Sequence, residues 1–162
     1  MAYATNTSVS VERSRNELEK ILARYGAKGF RYGWQELDGH RIEAIEFDTA
    51  SRRVRFSLKL PVSSAKEFVF TPSGREKRSA PERQKAWEQA CRSKWRALIL
   101  CVKAKLEAVQ AGISEFESEF MAWVVDPVSN RTVGELMMPQ LADRYAGKVG
   151  FLRLPGLPGP TV

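Results

Sequence analysis

The chain has 162 residues, 43% of them hydrophobic, with 26 Lys and Arg against 19 Asp and Glu. That length and composition suit one folded domain with a single core and exclude wholesale disorder. No apolar run reaches the ~18 residues of a membrane span. Residues 1–10 lack the basic start and apolar stretch of a secretory signal, so the expected location is the cytoplasm.

The positive charge is concentrated. Residues 1–51 hold 7 basic and 8 acidic side chains, residues 52–105 hold 15 and 4, and residues 106–162 hold 4 and 7. The segments balance at −1, +11 and −3, so the whole excess lies in the middle third. Segregated positive charge attracts polyanions, nucleic acid above all.

Residues 1–9 read as a loose leader. From Ser10 to Tyr25, Val11, Leu18, Ile21, Leu22 and Tyr25 recur at helical spacing, with Ser14 and Glu17 placed as a capping box and Gly26 as a stop. Phe30, Tyr32 and Trp34 then alternate with Arg31, Gly33 and Gln35, the period of a half-buried strand, and are expected on its core side. Tyr32 and Trp34 are also of the type that stacks on bases in single-strand binders. Asp38-Gly39 is a hairpin turn into a second strand, His40 to Phe47. The third is the clearest: Val54, Phe56, Leu58 and Leu60 should be buried, with Arg53, Arg55 and Lys59 exposed. A fourth short strand is predicted at Glu67 to Thr71. The loop from Thr71 to Ala80 carries Arg75, Lys77 and Arg78.

A long helix is predicted from Pro81 to Ala111, opened by the capping box of Ser79 and Glu82. Trp87, Cys91, Trp95, Leu98, Val102, Leu106 and Val109 form its core seam, and Ala90, Ala97, Cys101, Ala104 and Ala108 a strip of small residues. Lys85, Arg92, Arg96 and Lys103 fall on a third face, a line of cations about 27 Å long. No Asp or Glu occurs from residue 89 to 106, so this line lacks the acidic partners that usually support an exposed helix. A shorter helix starts at Ser114 and breaks at Asp126-Pro127, and a last one runs from Thr132 through Tyr145, with Pro139 predicting a kink or a shorter element. The Pro- and Gly-rich segment 148–162 is expected to be an extended tail.

Catalytic signatures are sparse. Cys91 and Cys101 are about 15 Å apart along one helix, beyond the roughly 7 Å between Cα atoms that a disulfide needs. His40 is the only histidine, too few for a Cys/His zinc site or a Ser-His-Asp triad. Glu36, Asp38, Glu43, Glu46 and Asp48 cluster near the hairpin, as a metal-dependent nuclease would require. Hairpin ends are commonly acidic, and no catalytic, metal or cofactor site is assigned.

The runs Ser14 to Gly26, Trp87 to Arg92 and LEAVQAGISEFESEF, with Thr132 to Glu135 and Met138 to Gln140, resemble a widespread group of small bacteriophage and prophage proteins. That resemblance covers nearly the whole chain, implies expression in a bacterial host, and brings no known activity with it. The order of elements is also similar to that of double-stranded-RNA-binding domains and of the core of phage single-strand annealing proteins. The Lys-Lys-x-Ala-Lys type pattern of the former is absent, the region reading PERQKAWEQA.

The expected fold is α+β: a leader (1–9), an α-β-β-β-(β)-α core (10–112) whose antiparallel sheet of three or four strands is covered by the N-terminal and long helices, a helical appendage (113–147) and the tail. The expected function is non-catalytic nucleic-acid binding in phage DNA metabolism, DNA rather than RNA. Arg53, Arg55, Lys59, Arg75, Lys77, Arg78, Lys85, Arg92, Arg96 and Lys103 are the expected footprint. The alternative is a protein-interaction module acting on a host or phage protein through the tail and the acidic C-terminal helices.

Overall fold

A computed structural model describes residues 4–49 and 51–148. Helix α1 (Val11–Arg24) is capped by Ser10, whose hydroxyl accepts the Arg13 backbone N–H at 3.1 Å. Ser14, the cap expected from sequence, lies instead inside the helix, fully buried beside Leu18 and Leu22. Strands β1 (Gly29–Leu37), β2 (His40–Asp48) and β3 (Arg53–Lys59) form an antiparallel sheet in the order β1-β2-β3. The β1–β2 turn places Asp38 at φ 52° and Gly39 at φ 71°, the positive pair that matches the twist of a two-residue hairpin. Register aligns Phe30 with Phe47, Tyr32 with Ile45, Val54 with Phe47 and Phe56 with Ile45, which gathers the apolar side chains on one face.

Helix α2 (Lys66–Val69) stands where a fourth strand was expected, followed by an isolated bridge between Phe70 and Lys77. The run KEFVF is too short for its period to separate strand from helix, and the single turn suffices to bury Phe68. The sheet grows instead at the β3 edge. Val124 bridges Val54, and the Val125 N–H donates to the Arg53 carbonyl at 2.8 Å.

Helix α3 (Ala80–Gln110) opens at its predicted box, Glu82 accepting the Ser79 N–H at 2.9 Å and its hydroxyl at 2.7 Å. Cys91, Trp95, Ile99, Val102 and Leu106 are buried along one stripe; Trp87, Leu98 and Val109 are half-buried at its margins. This stripe and Leu18 and Leu22 of α1 cover Ile45, Phe47, Val54, Phe56 and Leu60. Leu58, expected to be buried, is half-buried. The two helices are also joined by an ion pair between Arg96 and Glu17, which lie 79 positions apart in sequence. Arg96→Glu should therefore lower stability by on the order of 1 kcal/mol, and adding Glu17→Arg should restore most of it; denaturant midpoints of the two variants check this.

The leader is not loose over its described part. Gln89 donates its amide to the carbonyls of Thr5 and Thr7 at 2.9 Å each, and the Ser93 hydroxyl donates to the Ala4 carbonyl at 2.9 Å. The segment 113–147 is likewise tied to the core. Helix α4 (Phe116–Phe120) and a 3₁₀ turn (Met121–Trp123) place Phe120, fully buried, edge-on to Phe47 and Phe56 at 6.0 and 6.3 Å. Only helix α5 (Val133–Tyr145) is peripheral. Thr132 and Glu135 form its capping box. Pro139 sits inside α5 without ending it. A proline cannot donate to the carbonyl four residues back, here that of Glu135, and Arg131 Nη2 donates to that carbonyl at 2.9 Å. Gly134 allows α5 to approach the 3₁₀ turn, since a Cβ there would lie 2.8 Å from the Ala122 carbonyl. From residue 149 onward the expected tail lies outside the described residues. Among the described residues, no helix is long and apolar enough to cross a membrane.

Candidate nucleic-acid interface

Alternation along β3 turns Arg53, Arg55 and Lys59 onto the sheet face opposite the helices. Lys85, Arg92, Arg96 and Lys103 belong to α3, on the covered side of the sheet, where Arg96 reaches Glu17 of α1. The sheet thus separates the strand cations from the helix line, and they form two surfaces rather than one.

On the open face the cations are largely neutralised in place. Glu46 accepts from Arg55 Nε at 2.5 Å and from Arg31 Nε at 3.2 Å; Arg31 also meets Asp48 at 2.7 Å, and Arg53 approaches Asp48 at 3.5 Å. Arg55, expected to be exposed, is half-buried and further donates to the Asn130 carbonyl at 2.8 Å and to its side-chain oxygen at 3.0 Å. The Arg31 hydrogen bond is the main cause that holds Asp48 below its ordinary value. Burial pushes Glu46 upward, but hydrogen bonds from Arg55 and Arg31 outweigh it and leave the carboxyl low. A lowered carboxylate favours the folded state above its unfolded value, near 4.5 for Glu46, and loses that contribution as pH falls through the folded value. Arg31→Ala should accordingly destabilise the protein at pH 7 and leave it nearly unchanged at about pH 2.5, as thermal melts across that range would show.

Elsewhere pairing is selective. Arg78 donates to the carbonyls of Glu67 at 2.7 Å and Phe68 at 3.2 Å, which pins the loop to α2. Arg92 donates to the Gln89 side chain at 2.7 Å and lies 3.8 Å from Glu88. Lys105 meets Glu119 at 3.2 Å, the acidic C-terminal segment reaching back to the helix. Lys59, Arg75, Lys77, Lys85 and Lys103 remain exposed and make no ion pair among the described residues. Lys66 and Arg83, not singled out in the sequence reading, are exposed in the same way and flank the 71–79 loop. Residues 66–88 therefore gather Lys66, Arg75, Lys77, Arg83 and Lys85 against Glu67, Glu76, Glu82 and Glu88, of which Glu82 is occupied by the α3 cap.

The hairpin carboxylates do not converge. Glu46 and Asp48 are held by arginines on the open face, while Glu43 points inward and is buried. Among the described residues, no group of three or more His, Cys, Asp or Glu side chains is placed to hold a metal ion. Glu43 accepts the Trp95 Nε1–H at 2.7 Å, Arg41 Nε at 3.1 Å and Arg15 Nη2 at 3.4 Å, so its charge is compensated where it is buried. Arg15 in turn lies over the Tyr32 ring at 3.8 Å and Arg41 over the Trp34 ring at 4.4 Å. Tyr32 is half-buried against Trp95, as expected, but Trp34 is 56% exposed. Burial pushes the nearby Cys91 thiol up to about 11, which leaves it protonated and unreactive near neutral pH.

Comparison with protein-family models, with characterised proteins and with solved structures finds no match for this chain.

Proposed function

We propose that this chain is a non-catalytic nucleic-acid-binding protein, with DNA as the preferred partner, and that it acts in phage DNA metabolism, in line with its phage-like segments. The observation that carries the reading is the set of exposed cations without an internal ion-pair partner, Arg75, Lys77 and Lys85 with Lys66 and Arg83 beside them, at the start of α3. Cations already bound to carboxylates have little left to offer a phosphate; these retain their full charge. Lys103 extends the surface along α3, and Lys59 is an unpaired cation of the open sheet face. Arg55, Arg92 and Arg96 are already engaged within the fold, Arg55 by Glu46 and Asn130, Arg92 by Gln89 of its own helix, and Arg96 by Glu17 of α1. Binding of the full chain to a labelled oligonucleotide at about 50 mM salt tests the reading, and absence of binding there contradicts it.

A protein-interaction module is the second reading, supported by α5. Met138, Leu141 and Tyr145 are exposed at helical spacing along one side of this peripheral helix. Binding to another protein with none to nucleic acid would favour it.

A further inference from the structure

The indole of Trp34 is the one tryptophan set out in solvent; Trp95 is fully buried, and Trp87 and Trp123 are half-buried. It stands on β1, an edge strand, at a point where the strand has passed beyond the cover of the helices. Its support is fixed in place. The Arg41 guanidinium lies 4.4 Å from the ring centroid, Arg41 is held by Glu43, and Glu43 is held by Trp95 and Arg15 within the core. A guanidinium can cover only one of the two faces of an indole, and more than half of the residue's surface remains open.

We infer that Trp34, backed by Arg41, is a stacking platform for an unpaired base, so that the nucleic acid bound is single-stranded. This deepens the nucleic-acid reading above and rests on it. A duplex hides its base faces within its own stack, whereas a single strand can offer one to an exposed aromatic ring. The platform itself is close to neutral: Arg15 and Arg41 face Glu43, and Glu36 lies in register with Arg41 on the same side. It therefore reads the base, while the lysines and arginines of residues 66–85 read phosphate.

The test compares Trp34→Ala, Trp34→Phe and the triple variant Arg75→Glu/Lys77→Glu/Lys85→Glu on a labelled oligo(dT) of about 20 nucleotides and on a duplex of equal length. Trp34→Ala should bind oligo(dT) about tenfold or more weakly with an unchanged salt slope, Trp34→Phe should recover most of the loss, and duplex affinity should not move. The melting temperature of Trp34→Ala should stay within a few degrees of wild type, since the ring is exposed. If Trp34→Ala binds oligo(dT) like wild type while the triple variant binds weakly, the stacking platform is wrong and the cationic footprint stands. A loss shared equally by single strand and duplex also overturns the platform. If wild type binds neither, both readings fail.

Discussion

Trp95→Ala should lower the stability of the protein by roughly 3 to 5 kcal/mol, a large share of the ~5 to 15 kcal/mol that holds a typical domain. The residue is fully buried at the centre of the α3 seam, and its indole N–H donates to the buried Glu43 carboxylate at 2.7 Å. Truncation therefore opens a cavity between α1, α3 and the sheet and removes one of the donors that compensate a buried charge. Trp95→Phe separates the two effects: most of the volume stays, the donor goes, and the loss should be about 1 to 3 kcal/mol. Urea unfolding followed by circular dichroism measures both. A midpoint for Trp95→Ala equal to that of wild type would mean that this seam is not the core.

Reversal of Arg75, Lys77 and Lys85 to Glu should produce the largest loss of binding. All three are exposed and make no ion pair among the described residues, so the fold should be untouched. If each contacts one phosphate, the slope of log affinity against log salt should shrink by about 2 to 3, with affinity falling tenfold or more at moderate salt. Binding by nitrocellulose retention or anisotropy over a salt series provides both quantities. Arg92 and Arg96, the obvious targets from the sequence pattern alone, are a poorer choice. Arg96 joins α3 to Glu17 of α1 and Arg92 is bound to Gln89, so reversing them perturbs the packing as well as the charge.

Local signals in the chain foretold the α+β architecture. The positive-φ pair Asp38-Gly39, the alternation of Val54 and Phe56 with cations, and the boxes at Ser79 and Thr132 each act over a few residues, where sequence and backbone conformation are directly coupled. What sequence could not supply was tertiary partnership. Glu17 finds Arg96 and Asn130 finds Arg55 only after folding, and these pairings decide which cations stay available. Trp34 shares its parity with Phe30 and Tyr32, which made it a core candidate; its exposure follows from where the covering helices end. One missed feature did leave a signal. Arg41 and Glu43 have the same parity as Ile45 and Phe47, which places a charged pair on the inward face and marks it for internal compensation.

The most direct test of nucleic-acid binding is the affinity of the 162-residue chain for a single-stranded oligonucleotide as a function of salt. Four or five phosphates neutralised by the unpaired cations predict a linear log–log plot with a slope of roughly −3 to −4 and a loss of about a hundredfold from 50 to 200 mM salt. No retention at about 50 mM, or an affinity that does not change with salt, would contradict it.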